Sequence, residues 1–253
     1  ASWADRACQS ARRVGGKMNI GGSSNGRIAL FSLAVALAGF LFGFDVAVIS
    51  GAEQAIQREW QLDPLTHGMV LSAAVWGTVV GGLGGAWPTD RLGRKGALIL
   101  VAAGYLVASI GSAFAGGAGS FVLFRFIGGL AIGLSSIAAP AYISEIAPAP
   151  HRGRLVGLYQ FNIVAGILVA YLSNWLIGIL SDAGQWRMML GIQTVPSLIF
   201  LAAVLTVPDS PMWTKAWTRI GLHPDRQPAW RDFLRPPLRH PAGLAVTIAI
   251  FNQ

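Results

Sequence analysis

The sequence predicts an all-α membrane protein built around a bundle of six membrane-spanning helices. Only 12% of its 253 residues are charged, about half the fraction found in soluble domains, and 53% are hydrophobic. Six apolar stretches match or exceed, to within a residue, the ~20 residues that a helix needs to cross a bilayer. This composition argues against a soluble enzyme or a disordered chain, and the single cysteine, Cys8, excludes an internal disulfide.

The apolar stretches are predicted to be helices because none alternates apolar and polar residues as a barrel strand does. They cover residues 28–51, 69–87, 97–115, 121–143, 155–180 and 188–207. A seventh apolar run, residues 242–251, spans about half of the hydrocarbon thickness and is interpreted as the start of another helix.

The positive charges predict which side each loop faces. Sixteen of the 19 Lys and Arg residues lie in segments that share one side of the bundle, and two lie on the other side. By the positive-inside rule the N-terminus is therefore cytoplasmic, in a multi-pass protein of the cell membrane. A nucleic-acid partner is not expected, although the net charge is +8, because the bases are separated by apolar spans.

Four regions follow from this pattern. They are a cytoplasmic N-terminal segment (1–27), a six-helix bundle (28–207), a cytoplasmic linker (208–241) and a truncated seventh helix (242–253). Residues 1–17 are expected not to be native, because Met18 precedes the Gly/Ser stretch and the first span as a natural start would.

Small residues recur at intervals of four within the spans, which places each set on one stripe of a helix. Such stripes allow helices to pack closely in lipid, so a compact bundle is predicted. The sets are Gly39 and Gly43; Gly77, Gly81 and Gly85; Gly104 and Ala108; Gly129 and Gly133; and Gly166 and Ala170.

One acid and one base lie inside the spans. Asp45 falls about 25 Å along the first span, and Arg125 about 6 Å from the outer start of the fourth. Both depths are in the outer third of the membrane, so the two side chains can pair. The pair is interpreted either as a structural ion pair that fixes helix packing or as a protonation switch that couples proton affinity to conformation.

Five ordered motifs at the helix ends resemble the sugar porter family of the major facilitator superfamily. The motifs are Gly43-Phe44-Asp45 with Val48-Ile49-Ser50-Gly51, Asp90-Arg91-Leu92-Gly93-Arg94-Lys95, Arg125-Phe126-Ile127-Gly128-Gly129, the stretch from Pro140 to Gly153, and Pro208-Asp209-Ser210-Pro211. The resemblance implies a carrier of twelve helices in two halves, of which this chain supplies the N-terminal half as two inverted three-helix repeats.

By this resemblance Asp45 matches the proton-accepting residue of proton-coupled members and Arg125 its partner, which favours symport over uniport. Gln160, Gln253 and Asn252 are implied sugar contacts, since an amide both donates to and accepts from hydroxyls. Phe42 is the fourth, expected to pack against the sugar ring. The implied cytoplasmic gate is an ion-pair network of Asp90, Arg91, Arg94, Glu145, Arg152 and Asp209, the last standing where the family has Glu.

The sequence thus predicts sugar:proton symport, with a monosaccharide (hexose or pentose), a proton and the lipid bilayer as partners. The missing half or a second copy would complete the carrier. Two alternatives remain: a half-size sugar sensor or dimerising half-transporter without transport of its own, and a facilitator-superfamily carrier of another solute. No enzyme activity, cofactor or metal is expected, because the sequence shows no metal-ligand or nucleophile–base cluster and its four histidines lie scattered in loops.

Overall fold

A computed structural model describes residues 23–180 and 185–210, and all regular structure in these ranges is helical. The helices are α1 (Ser23–Glu59), α2 (Pro64–Gly84), α3 (Ala86–Arg91), α4 (Gly93–Ala113), α5 (Ala118–Ile146), α6 (Arg152–Leu180), α7 (Gln185–Gly191) and α8 (Thr194–Thr206), with a 3-10 turn at Ala149–His151. Six helical segments are long and apolar enough to cross a membrane, with α7 and α8 forming the sixth. The predicted six-helix architecture is confirmed.

Several sequence-based expectations lie outside the described residues. They concern the N-terminal segment up to residue 22, most of the linker, the seventh helix, and the sugar contacts Asn252 and Gln253. Within the described bundle we call the end that holds residues 85–92 and 147–151 the basic end. The end that holds residues 60–63 and 114–117 is called the opposite end.

Helix α1 is longer than the apolar run that predicted it. Its 37 residues reach about 55 Å, well beyond a hydrocarbon core of about 30 Å. Residues 52–59 continue the helix because they include strong helix formers such as Ala, Glu and Gln. The helix ends in a Schellman motif, in which Gln61 adopts a left-handed φ of 49° and the Leu62 amide donates to the Gln57 carbonyl at 3.1 Å.

Local sequence also sets the ends of α2 and α4. The Asp63 carboxylate caps α2 by accepting from the amides of Leu65 (3.1 Å) and Thr66 (3.2 Å), and Pro64 fills the first helical position. The Thr66 hydroxyl, followed by these amides, lowers the pKa of Asp63. Gly93 begins α4 with a φ of 76°, a left-handed conformation that glycine adopts at little cost because it has no Cβ atom.

The sixth span is broken, whereas the sequence predicted one continuous run over 188–207. Pro196 has no amide hydrogen, so it cannot donate to the Ile192 carbonyl as a helix would require. That carbonyl accepts from the Val195 amide instead, at 3.1 Å, in a tighter turn that separates α7 from α8.

Glycines lie at two close helix crossings, as predicted from the small residues spaced four apart. Where α1 crosses α6, a Cβ atom on Gly43 would collide with the Ile163 carbonyl, and one on Gly166 with the Phe40 carbonyl. Where α2 crosses α5, a Cβ on Gly77 would lie 3.0 Å from the Cα of Gly129. Backbones this close gain dispersion contacts that lipid cannot supply.

The two crossings correspond to each other. Helix α1, the first helix of the first repeat, packs on α6, the second helix of the second repeat. Helix α5, the first helix of the second repeat, packs on α2, the second helix of the first repeat. This exchange is the arrangement expected of two inverted three-helix repeats. One buried apolar cluster, with Tyr105, Tyr142 and Phe200, lies toward the basic end, and a second, with Phe121 and Trp186, lies toward the opposite end.

Candidate functional site

Asp45 of α1 and Arg125 of α5 form an ion pair inside the bundle. The Arg125 Nη1 donates to Asp45 Oδ1 at 2.9 Å, and Nη2 reaches the Asp45 main-chain oxygen at 3.5 Å. The two residues are 1% and 5% exposed, so the pair is shielded from lipid. The pairing predicted from their depths is therefore present, and neither side chain points toward the lipid.

The second carboxylate oxygen of Asp45 is not satisfied by the described residues. Oδ2 is buried and has no hydrogen-bond partner among them, although Oδ1 is paired. Small residues lie near the other oxygen of the carboxylate: a Cβ on Gly128 would lie 3.9 Å from Oδ1 and 3.1 Å from the Ala108 methyl. A free lone pair on a buried carboxylate is a site at which a proton can be added without breaking the existing bond to Arg125.

The free energy of this ion pair is a small difference between the cost of removing two charges from water and their mutual attraction. Moving two charges from water into a protein interior costs several kcal/mol per ion, and mutual attraction recovers this only while the pair is intact. Neutralising Asp45 by protonation would leave the Arg125 charge buried with a weaker partner. The arrangement can therefore convert a change in proton occupancy into a change in the stability of this helix packing.

At the basic end Arg94 is the centre of a smaller network. Its Nε donates to Glu145 Oε1 at 2.9 Å, and its Nη1 donates to Asp90 at 2.8 Å and to the Thr89 carbonyl at 3.1 Å. The hydroxyl of Ser210 donates to the other oxygen of Glu145. These contacts tie α4 to the end of α5 and to the segment after α8.

In the structure, ion pairs join three of the six residues of the predicted gate. Asp90, Arg94 and Glu145 are joined, whereas Arg91 lies over the Trp87 ring, 5.0 Å from its centroid. Arg152 and Asp209 are exposed and take part in no ion pair within residues 23–180 and 185–210. Their place in the gate stays a prediction.

Gln160 and Phe42, the two predicted sugar contacts that the structure describes, lie in different surroundings. Gln160 is exposed on α6, beside the exposed Phe161, while Phe42 of α1 is half-buried against the apolar cluster near the basic end. An exposed amide about 12 Å along a membrane-spanning helix is costly in lipid, so the face of α6 that carries Gln160 suits a polar cavity.

Sequence reasoning missed a set of buried hydroxyls between the ion pair and the basic end. Tyr105 (α4), Ser135 (α5) and Tyr159 (α6) are 0%, 0% and 5% exposed, and Ser135 Oγ lies 3.4 Å from the Tyr159 hydroxyl. The available signal was tyrosine in the middle of an apolar span, since a buried tyrosine hydroxyl normally requires a partner.

A second polar cluster at the opposite end was also missed. Glu59 accepts from the Trp186 indole at 2.6 Å and from Arg187 at 2.8 Å, and Arg187 also donates to the Ala115 carbonyl. Trp60, Phe121 and Trp186 pack edge to face around it. This cluster fastens α1, the start of α5 and α7 together. Among the described residues, no group of His, Cys, Asp or Glu could hold a metal ion.

A bundle of two three-helix repeats with a buried acid–base pair defines one half of a major facilitator carrier. The model of the Sugar (and other) transporter family matches residues 31–220, and the chain belongs to this family. It is accordingly a multi-pass membrane protein.

Several curated relatives are named as sugar carriers, and others as putative metabolite transport proteins. The chain is 39% identical over 199 residues to the glucose transport protein of Synechocystis sp. and 41% identical over 199 residues to the galactose-proton symporter of Escherichia coli K12. These matches cover 75% and 78% of this chain but 42% of each relative. The chain therefore spans less than half the length of the curated relatives it matches.

The fold also matches solved structures. The proton:xylose symporter XylE bound to 6-bromo-6-deoxy-D-glucose superposes with a TM-score of 0.72 at 33% identity, over 75% of this chain and 46% of that chain. Inward-open XylE from E. coli gives a TM-score of 0.71 at 31% identity, over 87% and 55%. These matches confirm the prediction that the chain forms the N-terminal six-helix bundle of a major facilitator fold.

Proposed function

We propose that this chain is the proton-coupling half of a carrier that moves a monosaccharide together with a proton by alternating access. The observation that carries the proposal is the buried pair of Asp45 and Arg125, set in a chain of the sugar transporter family. Relatives named as galactose-proton and arabinose-proton symporters support both the substrate class and the coupled ion.

The coupling follows from the geometry of the pair. With Asp45 charged, Arg125 holds α1 against α5. A proton on Oδ2 removes the negative charge and weakens the attraction between the helices, which favours a conformation in which Arg125 turns to another acceptor or to water. Loss of the proton on the far side restores the pair, so each cycle carries one proton in the direction of its gradient.

The sugar is proposed to contact the α6 face that carries Gln160, with Phe42 packing against the ring. Asn252 and Gln253 are proposed to hydrogen-bond the same sugar. The remaining contacts come from a second half, supplied by a longer gene product or by a second copy of this chain.

The basic end is proposed to face the cytoplasm, because the segments predicted to lie there hold most of the Lys and Arg residues. There the Arg94–Glu145 network acts as the gate. It is joined when the carrier is closed toward the cytoplasm and separates when the carrier opens inward.

Glu145→Gln is expected to shift the carrier toward the inward-open state. The amide keeps the shape of the side chain but loses its charge, which weakens the bond from Arg94 by about 1–2 kcal/mol and changes the ratio of states about 5–30-fold. Labelling of cysteines introduced at the cytoplasmic mouth measures this shift. Ser144→Ala is the control, since its hydroxyl bonds the Ala141 carbonyl within α5; equal labelling of both variants would remove Glu145 from the gate.

Gln160→Ala is expected to raise the KM for sugar about tenfold with little change in maximal rate, since one or two hydrogen bonds to hydroxyls are lost. Initial rates of labelled-sugar uptake measure this. Gln54→Ala, an exposed amide near the end of α1, provides the comparison and should leave KM unchanged. An unaltered KM in Gln160→Ala would place the sugar elsewhere.

The proposed function is tested by reconstituting the complete gene product in proteoliposomes and offering labelled glucose, galactose, xylose and arabinose. We expect uptake of at least one sugar to exceed equilibrium under an inward proton gradient and to return to equilibrium with a protonophore. Uptake that never exceeds equilibrium would indicate facilitated diffusion. Absence of uptake for every sugar would favour a sensor or a carrier of another solute.

A further inference from the structure

Three aromatic rings pack together next to the ion pair, toward the opposite end of the bundle. They belong to Trp60, which follows α1, to Phe121 of α5 and to Trp186 of α7. The rings meet edge to face in pairs, with centroids 5.5, 5.4 and 6.2 Å apart. Phe121 is fully buried and Trp186 is 2% exposed. We call these three rings the aromatic layer.

The aromatic layer lies between two ion pairs. On its outer side Glu59 and Arg187 are paired, and their side chains are 39% and 36% exposed. On its inner side Phe121 precedes Arg125 by four residues, so both lie on one face of α5, about 6 Å apart along the helix. Arg125 is 5% exposed and holds Asp45. Along α5, a single layer of rings therefore separates the buried pair from the exposed charges.

The bundle interior on this side of Asp45 is mostly apolar. The buried residues of α1 between Asp45 and the opposite end are all apolar, namely Ala47, Val48, Ala52 and Ile56. Two buried polar side chains also lie on this side, Ser112 in α4 and Asn174 in α6. Among the described residues the Ser112 hydroxyl has no hydrogen-bond partner, and the Asn174 amide donates to the Val48 carbonyl. They therefore form no chain of hydrogen bonds along which a proton would pass the rings.

Contacts around Trp186 hold the aromatic layer in place. The Trp186 indole donates to Glu59 at 2.6 Å, and the Arg187 guanidinium carbon lies 4.1 Å from the centroid of the same ring system. Arg187 also donates to the Ala115 carbonyl at 3.2 Å, in the connection between α4 and α5. The polar groups on the outer side thus orient this ring against Phe121.

An apolar layer at this position controls how protons reach Asp45. Closely packed rings exclude water, and an apolar constriction stays dry. Without such a barrier, protons would reach Asp45 from the opposite end in every state of the carrier and would cross without sugar. We infer that the aromatic layer seals the interior of the bundle against protons from the opposite end. The inference rests on the proposed proton site and adds to it the element that prevents an uncoupled leak.

Phe121→Ala tests the seal, because it leaves a cavity between the polar groups of Arg125 and Glu59 that water can fill. The complete gene product is reconstituted in proteoliposomes, and proton influx is followed with a trapped pH-sensitive dye in the absence of sugar. We expect influx at least about tenfold above that of the wild type. Phe121→Leu restores an apolar filling and should match the wild type. Phe114→Ala, which removes an 83% exposed ring at the same end, should also match it.

The route of the leak is tested by adding Asp45→Asn to Phe121→Ala. If the aromatic layer shields Asp45, the leak passes through this carboxylate, and the double variant should return to the wild-type influx. A leak that persists in the double variant would bypass Asp45 and overturn the inference. If Phe121→Ala does not give folded, monodisperse protein, Trp60→Ala replaces it, because Trp60 is half-buried at the edge of the layer. Its expected influx is at least about threefold above the wild type.

The results separate the seal from the proposed function. A folded Phe121→Ala or Trp60→Ala protein with wild-type influx would overturn the seal, and symport would stand if the wild type accumulates sugar with protons. If the wild type moves sugar without protons, or moves no sugar, the proposed function fails. The leak measured without sugar decides the seal in that case too, since it depends on neither sugar nor turnover.

Discussion

Replacing Asp45 with asparagine is expected to abolish uphill accumulation of sugar while leaving counterflow exchange intact. Asparagine cannot take up and release a proton, so the proton gradient no longer drives transport. Its amide oxygen can still accept from Arg125. Because asparagine is neutral, the variant resembles the protonated state of Asp45, which is expected to carry sugar through the exchange cycle. For one proton per sugar, each unit of pH gradient supports up to about tenfold accumulation, and this ratio should fall to about one in the variant.

Glu53→Gln is the matched control, because Glu53 is another carboxylate of α1 and is half-exposed. Its accumulation ratio should equal that of the wild type in the same proteoliposomes. Normal uphill accumulation by Asp45→Asn would remove Asp45 from coupling. Loss of both accumulation and counterflow would make the ion pair a structural feature of the bundle.

Gly81→Ala is expected to destabilise the bundle by about 1–3 kcal/mol, since a methyl group at this position separates α2 from α5. A Cβ there would lie 2.5 Å from the Leu130 carbonyl oxygen and 2.9 Å from the Leu130 Cα. Backbone atoms cannot move aside as the end of a flexible side chain can. The midpoint of thermal unfolding in detergent, with monodispersity by size exclusion, measures the loss.

Gly82→Ala serves as the control because the adjacent glycine has nothing within 4 Å of its Cβ position. Both substitutions gain the same helix propensity, about 1 kcal/mol, so the difference between them isolates the packing term. Gly82→Ala should unfold at or above the wild-type temperature. Equal stability of the two variants would show that the α2–α5 crossing tolerates a wider spacing than the structure has.

The spans, the glycine crossings and the acid–base pair could be predicted from the sequence because each depends on local pattern. Apolar length predicts a span, a four-residue spacing predicts a packing stripe, and a charge within a span demands a partner. The break between α7 and α8 could also have been predicted, since Pro196 lies within the sixth run.

Contacts between distant segments could not be predicted in the same way. The Tyr105, Ser135 and Tyr159 hydroxyls come from three helices, and their proximity depends on helix rotation and depth. Arg94 selects Glu145, 51 positions away, among several acids near the basic end, and sequence motifs alone did not show which bases would remain apart. The spacing of polar groups along one helix could be predicted from the sequence. Which groups of different helices lie in contact could be seen only in the structure.

The central claim is that Asp45 gains and loses a proton during the transport cycle. Infrared difference spectroscopy of the complete gene product in lipid tests this directly, by comparing spectra with and without sugar across a range of pH. We predict a carbonyl band of a protonated carboxylic acid that changes with sugar and pH and is missing in Asp45→Asn. The absence of such a band from the wild type, or its persistence in Asp45→Asn, would contradict the account.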